Sequence, residues 1–591
     1  MEADIKLNEQ QRQAVTTKGK HVLVLAGPGA GKTRVLVERV VNLMFKSNCS
    51  GYDILMLTFT RKAAKEMKER ITARVGQTLA RKITIGTFHS VCLRILKECG
   101  SQLGYQPDTL SVYDERDQED ILLDIIETNQ TKINSKILTA LINEFRIKGP
   151  NIVDIYRELY PNECRVFAEY RSRLKENNAV DYGLLLTEVQ QLFLHHPDII
   201  SHYHNKWKHV LVDEYQDTDY MQYNLHTLMN PDNLFCVGDS DQAIYSFRGA
   251  TIEVILNFRT DYFDSEIIEL SGSYRCAKSI VTTANNLIRH NSQRYEKSIF
   301  AYRKSDGEVN VSSYPTQEAE ATAVVRHIMN RVEQQQPLSD IVVLSRTRKP
   351  LQIIASDLEL MQIPHVVVGM RNDFLNEPQV KAFHAFLSLI VNPRDNLAFC
   401  RLRHFLRVDN LAYAKIRLEA TRDEISHFHA YLRDSGEWWP ENIIQGCGFN
   451  LLLWKVCIYR QWGFESIKDD LDHLILQYTE ENACNIQEYL EWIQQRDIQD
   501  EVEEETDMVR LMTIHAVKGL EFNHVVIIDM NEGHLPHSRA KTAEAIEEER
   551  RLCYVAITRA KAQISITRSI NKVAFGQRLL PAEASRFLRE I

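Results

Sequence analysis

Short apolar runs recur along this chain, and most are followed by a stretch with helical spacing. Val22-Leu-Val-Leu-Ala26 reads as a buried strand and Thr33 to Phe45 as the helix after it. Asp53-Ile-Leu-Met-Leu-Thr58-Phe59-Thr60 is a second buried run, and Arg61 to Ile71 then carries many strong helix formers. Ile83-Thr-Ile-Gly86-Thr87-Phe88-His89-Ser90 opens a third such unit. Three strand-then-helix units in a row predict an α/β fold built on a doubly wound parallel sheet. Ligands on such sheets bind beyond the strand C-termini, where Thr58, Phe59, Thr87, Phe88 and His89 are expected; a core Phe and a satisfied His are the alternative for these. Ahead of the first strand, Leu7 to Val15 reads as a short helix capped by Asn8. Val210 to Val212 and Leu234 to Val237 are further strands. Residues from roughly 97 to 179 carry few strand signals and read as a mostly helical insertion, after which Asp181-Tyr-Gly-Leu-Leu-Leu186 is expected to return the chain to the sheet.

Length and composition add limits. At 591 residues the chain holds several domains, on the usual ~100–200 residues each. A hydrophobic content of 44% suffices to bury large cores. The net charge of −9 shows no global basic excess, so a nucleic-acid site has to be a local cleft. Eleven cysteines are scattered without C-x-x-C or metal-ligand spacing, which suits thiols in a reducing cytosol. Met1-Glu-Ala-Asp-Ile-Lys lacks a signal-peptide core and no apolar run reaches ~18 residues, so a cytoplasmic protein with no membrane span is expected.

The candidate chemistry lies at the strand ends. Val210 to Val212 delivers two adjacent carboxylates, Asp213 and Glu214, an arrangement that can hold Mg²⁺ and position a water. Acidic pairs also simply end strands, but Ala26-Gly27-Pro28-Gly29-Ala30-Gly31-Lys32-Thr33 upstream decides the reading. The strict phosphate-loop pattern wants Gly where Ala26 stands, and the remainder fits. Glycines let backbone N–H groups approach phosphate, Lys32 can reach the β/γ-phosphates, and Thr33 can ligate Mg²⁺. Lys32 and Asp213 are about 180 residues apart, more than a minimal P-loop domain needs, which supports the inserted domain. After Val237, the loop Gly238 to Gly249 carries Gln242, Tyr245, Phe247 and Arg248. Aromatics beside a cation suit a single-stranded nucleic-acid platform; a loop packed on its own aromatics is the alternative.

The order and spacing of these stretches resemble the UvrD/Rep/PcrA family of superfamily 1 DNA helicases. The matching segments are Leu7–Val15, Ala26–Thr33, Thr58–Met67, Gly86–Ser90, Val212–Thr218 and Val237–Ala250. Leu270-Ser-Gly-Ser-Tyr274-Arg275 resembles the fourth motif, Val509 to Phe522 with His515, Lys518 and Glu521 the fifth, and Glu547 to Ala560 with Arg559 the sixth. The resemblance implies two RecA-like parallel-sheet P-loop domains, each with a mostly helical inserted subdomain. The first would span 1–96 and 180–270 around an insertion at 97–179; the second 271–392 and 506–591 around a shortened insertion at 393–505. Ile341 to Leu344 and Val525 to Ile528 are the clearest strands of the second domain, and the acidic run Glu501–Asp507 reads as a solvated linker.

By the same resemblance, Gln11 contacts adenine, Tyr274 stacks on it, Glu521 lies near the ribose and Gln242 senses the γ-phosphate. Glu214 orients or deprotonates the attacking water, Thr33 and Asp213 hold Mg²⁺, and Arg275 and Arg559 are arginine fingers. Phe59, His89, Tyr245, Phe247, Arg248 and His515 are expected on the single-strand path, and Phe575, followed by Gly576, at a hairpin tip against the first base pair. The implied activity is ATP-dependent, 3′→5′ translocation on single-stranded DNA with duplex unwinding at junctions, alongside repair, replication or defence partners. The alternative is a DNA-stimulated ATPase or partner-dependent subunit with little strand separation. A small-molecule P-loop kinase is disfavoured by two sheet domains with arginines on the second. This chain departs from the family where Phe247 replaces the usual Trp, where Ser271-Gly272-Ser273 replaces Glu-Gln-Asn, and where Asp181-Tyr-Gly replaces an Asp-Phe-Asp run. The second insertion is short, and no C-terminal extension or nuclease motif set is expected after Ile591.

Overall fold

The computed structural model describes residues 7–47, 49–130, 160–368, 377–435, 467–479, 484–494, 507–573 and 579–591, with isolated positions between them. Two compact units form. The first comprises Met1–Thr87, His202–Met370 and Asp497–Ile591, the second Phe88–Ser201 and Arg371–Arg496.

The first unit contains two six-stranded sheets, both wholly parallel. One is built from β1 (His21–Ala26), β2 (Ile54–Thr58), β3 (Thr84–Thr87), β4 (His209–Val212), β5 (Asn233–Gly238) and β6 (Glu266–Leu270), in the order β3-β2-β4-β5-β1-β6. The other is built from β7 (Glu308–Tyr314), β8 (Ile341–Ser345), β9 (His365–Val367), β10 (Val509–Thr513), β11 (Phe522–Ile527) and β12 (Ala560–Ser569), in the order β7-β12-β11-β8-β10-β9. Strands buried on both faces have no polar side to show, so they read as unbroken apolar runs. β8 illustrates this. Val342 and Leu344 pack with Leu552 and Val555 of helix Ala543–Ile557, while Ile341 and Val343 face Ile328, Leu351 and Ile354 on the other side. In the first sheet Val22 and Val24 pack against Val35, Leu36 and Val40 of helix Lys32–Phe45.

β4, β5 and β1 are neighbours. Their C-terminal tips therefore bring together Asp213-Glu214, the Asp239–Gln242 turn and the phosphate loop, in the crevice where parallel sheets take ligands.

In the second unit Ser111–Tyr113 pairs in parallel with Ala179–Asp181, and the other regular elements among the described residues are helices and short helical turns. Asp181-Tyr-Gly-Leu-Leu-Leu186 does not return the chain to the first sheet. Asp181 instead caps helix Tyr182–His195 through Leu184 N at 2.8 Å and accepts from Tyr170 OH at 2.5 Å, and the sheet is rejoined at β4. Phe88 and His89 open helix Phe88–Cys99 directly after β3, and Phe88 is buried. Residues 501–506 of the expected acidic linker, and Phe575 with Gly576, lie outside the described residues. Among the described residues no helix is long and apolar enough to cross a membrane.

Candidate functional site

The N-terminal helix Glu9–Thr16 is fixed by a reciprocal cap. Asn8 Oδ1 accepts from Gln11 N at 2.8 Å, and Gln11 Oε1 accepts from Asn8 N at 3.2 Å. The Gln11 Nε2 group then donates to the Ala30 carbonyl at 3.0 Å, so this buried amide is locked against the phosphate loop. Within that loop Gly29 has φ +71°, and a Cβ there would stand 2.5 Å from the Cβ of Arg275. Gly29 O accepts from Tyr274 N at 2.9 Å and Pro28 O from Ser273 Oγ at 2.8 Å, so the Tyr274–Arg275 segment sits directly on the loop. Ala26 is fully buried as the last residue of β1, and Gly27, Ala30 and Gly31 complete the turn into the helix that starts at Lys32 and Thr33. Backbone N–H groups at such a helix start favour an anion.

At the tip of β4, Asp213 N continues the sheet to Leu57 O at 2.9 Å. Its Oδ1 is buried without a hydrogen-bond partner. Burial first, then the neighbouring Glu214 charge, raises the Asp213 carboxyl above the ordinary range. A divalent cation would answer both features, and the Thr33 hydroxyl, at the start of the helix that follows the phosphate loop, adds a second oxygen donor of the hard kind that Mg²⁺ takes beside phosphates. Glu214 has the left-handed backbone φ 48°, ψ 47°, a conformation of order 1–3 kcal/mol above the usual wells. Its Oε2 accepts from Lys32 Nζ at 2.9 Å and from Gln216 Nε2 at 2.5 Å. Burial alone would raise Glu214, but the Lys32 and Lys518 charges and the Gln216 bond outweigh it and keep the carboxylate ionised.

The tip of β5 carries the link to the second sheet. Gln216 Oε1 accepts from Asp239 N at 2.7 Å, and Gln242 Nε2 donates to Asp239 Oδ2 at 2.6 Å. Gln242 Oε1 accepts from Arg559 Nη2 at 3.1 Å, and Gln242 O from Lys518 Nζ at 2.8 Å. Lys518 also pairs with Asp217 Oδ2 at 2.5 Å; both are buried. Asp239 and Asp241 are held in turn by Lys297, and Asp241 by a two-pronged Arg294 at 2.8 Å. Arg559 is buried at the end of helix Ala543–Ile557, donating to Val555 O and Leu520 O, and burial followed by the nearby Arg275 charge lowers it to about 9. Arg275 Nε meets Glu521 Oε2 at 2.6 Å, and Glu521 also meets Lys561 at 2.9 Å.

A row of aromatic rings runs beside this network. Phe59 stacks on Tyr245 at 4.9 Å between centroids, Tyr245 lies 5.9 Å from Phe247, and Phe247 meets the His515 ring edge-on at 5.1 Å. Arg248 lies over both Tyr245 and Phe247, and Lys518 Nζ sits 4.9 Å over the Tyr245 ring. Burial, then Arg346, Arg248 and Lys518, depresses His515 to about 3, so its imidazole is neutral at physiological pH.

Residues 7–263 match the UvrD/REP helicase N-terminal domain, and residues 268–432 and 464–571 match the UvrD-like helicase C-terminal domain. The chain is 31% identical to the ATP-dependent DNA helicase PcrA of Staphylococcus aureus (strain MRSA252), over 99% of this chain and 86% of that one. It is likewise 31% identical to the ATP-dependent DNA helicase PcrA of Staphylococcus epidermidis (strain ATCC 12228 / FDA PCI 1200), over the same shares. The chain belongs to the UvrD-like helicase family.

The UvrD-like residues expected at the nucleotide gather in the first unit: Gln11, the phosphate loop, Asp213, Glu214, Gln242, Tyr274, Arg275, Glu521 and Arg559. So do Phe59, Tyr245, Phe247, Arg248 and His515, whereas His89 belongs to the second unit, with its ring edge-on to Tyr182 at 5.5 Å. Burial lowers His89 to about 4. Gln216, Asp217 and Lys518 lie within the matched motifs, but the sequence assigns them no role: polar residues beside the Asp-Glu pair and a lysine next to Gly519 read in sequence the same as solvated surface.

Proposed function

We propose that the protein is an ATP-dependent DNA helicase that translocates 3′→5′ on single-stranded DNA and unwinds duplex DNA, with hydrolysis coupled to closure of the two sheets on the nucleotide. The observation that carries this reading is the convergence of Arg559, Lys518 and Arg275 from the second sheet on Gln242, Asp217 and the phosphate loop of the first. Catalysis of phosphoryl transfer is mainly positioning and charge stabilisation. In this reading the loop amides and Lys32 hold the phosphates, which draws Lys32 away from Glu214. Thr33 and Asp213 would hold Mg²⁺, which would supply positive charge to offset that of the phosphates. Glu214, ionised and released from Lys32, orients the water and accepts its proton. Gln242 registers the γ-phosphate, and Arg559 and Arg275 meet the charge that develops on it. Phe247, exposed, offers its ring to a base with Phe59 and His515 beside it, whereas Tyr245 is buried beneath Phe59 and Lys518 and supports the row from behind; Lys518, against both Asp217 and Tyr245, joins the two sites.

The deciding experiment measures ATPase with and without single-stranded DNA, together with unwinding of duplexes tailed on either strand. The reading expects stimulation by DNA and unwinding of the 3′-tailed duplex. ATPase indifferent to DNA, or unwinding confined to the 5′-tailed duplex, would overturn it. Stimulated hydrolysis without unwinding of either substrate would leave a translocase.

A further inference from the structure

Beside the expected adenine residue, Tyr274, lies a second tyrosine that no motif contains. The Tyr302 ring stacks on Tyr274 with centroids 4.4 Å apart and planes 20° from parallel. Its backbone is fixed: the two-residue strand Phe300–Ala301 pairs in parallel with Gly272–Ser273, and Tyr302 N donates to Ser273 O at 2.8 Å. The Asn8 amide donates to both hydroxyls, at 3.0 Å to Tyr274 and 3.5 Å to Tyr302. Asn8 also caps the helix that carries Gln11, so both rings are registered to the buried amide on the phosphate loop.

Gly272 explains how the ring fits. A Cβ at this position would stand 2.0 Å from Tyr302 Cε2, so the ring occupies the space a side chain at 272 would fill. The absence of a side chain at Gly272 and the seated Tyr302 ring thus form one complementary pair. Tyr302 covers one face of Tyr274, while 44% of Tyr274 remains exposed.

We propose that Tyr302 is a positioning residue of the nucleobase site, a back wall that fixes the Tyr274 ring so that a purine stacks on its free face. This rests on the assignment of Tyr274 to the base. A lone surface tyrosine loses rotamer freedom when a ligand orders it; a ring already held by an offset partner and a hydroxyl bond loses less, and the gain appears as affinity rather than rate.

The test is DNA-stimulated ATPase of the full chain, with KM and kcat determined for ATP and for UTP. Tyr302→Ala is expected to raise KM for ATP roughly two- to tenfold, the affinity equivalent of one stacked aromatic pair, with kcat kept and a smaller effect on UTP. Tyr302→Phe, which keeps the ring, should restore the KM. Gly272→Ala, whose Cβ displaces the ring, should reproduce the Tyr302→Ala KM, and the double variant should add nothing further. An unchanged KM in Tyr302→Ala, a kcat that falls in step with it, or an equal rise for UTP would each overturn the proposal. Tyr274→Ala separates the causes. If it raises KM while Tyr302→Ala does not, only the back wall fails; if neither does, the base is not at Tyr274 and the underlying assignment fails as well.

Discussion

Glu214 is held by three features that sequence alone does not join: a left-handed backbone, a bond from Gln216, and an ion pair with Lys32. The pair sets what a substitution does. Glu214→Gln removes the negative charge and the proton acceptor but leaves Asp213 and its unpartnered Oδ1 in place. The expected outcome is loss of at least ~10²-fold in DNA-stimulated kcat, the lower range for a general base, with ATP and DNA binding retained in equilibrium titrations. Turnover near that of the unmodified chain would remove Glu214 from the mechanism. At this scale the glycine pattern, Lys32 and the Asp-Glu pair were legible because phosphate chemistry demands those residue types at those spacings. The partners were not. That Lys32 reaches Glu214, or that Lys518 reaches Asp217 some 300 positions away in the chain, is set by how the strands are ordered.

Elements were legible where burial is two-sided. β1, β2, β4 and β8 read as apolar runs because both faces are covered, and the Asn8 cap was legible because its partner Gln11 lies three residues on. The expectation that Asp181–Leu186 returns the chain to the first sheet failed: Asp181 ends a short strand of the second unit and caps the helix that follows. The turn after β5 presents the aromatic row, and Phe247 is its most open member, 65% exposed beside Arg248 and His515. Phe247→Ala should therefore weaken single-stranded DNA binding by roughly 5–150-fold, the equivalent of ~1–3 kcal/mol for one stacked base, while DNA-free ATPase stays intact. Equal affinity in a fluorescence-anisotropy titration would take Phe247 off the path. Helix Tyr220–Met229 makes a second prediction. It buries His226 completely, with Nδ1 unpartnered and Nε2 3.4 Å from Tyr215 OH, and burial lowers the imidazole to about 3. A free histidine titrates near ~6.5, so below that pH the unfolded chain binds a proton that the folded chain refuses. His226 therefore subtracts stability as pH falls from ~6.5, by about 2 kcal/mol at ~pH 5. His226→Gln should lose less of its melting temperature than the unmodified chain between ~pH 7 and ~pH 5; an equal loss in both would show that the imidazole titrates freely.

Across the whole chain, the two sheets of the first unit contribute jointly to one buried network. The first sheet holds the loop, the carboxylates and Gln242, but its charges are incomplete: Asp217 depends on Lys518, and Gln242 Oε1 on Arg559, both from the second sheet's side. Arg559 is buried just after helix Ala543–Ile557, and its guanidinium is anchored on the Val555 and Leu520 carbonyls, so on the proposed reading it would approach a γ-phosphate only with its sheet. Its lowered proton affinity, about 9, still leaves it charged at neutral pH. Desolvation makes such a cation more effective against charge developing on a phosphoryl group, since little water competes. Arg275 is placed differently, at the loop itself and paired with Glu521, so the two arginines are expected to be non-redundant. Arg559→Ala should cut DNA-stimulated kcat by ~10³-fold or more, as arginine fingers do, while a fluorescent ATP analogue binds within a few-fold of its usual affinity. The alternative is that Arg559 only ties Gln242 to the second sheet. In that case Arg559→Ala would cost no more than the one charged hydrogen bond it removes, roughly 10–150-fold in kcat. A loss of ~10³-fold or more supports direct action on the phosphoryl group, and a loss within the smaller range would reduce Arg559 to a tether.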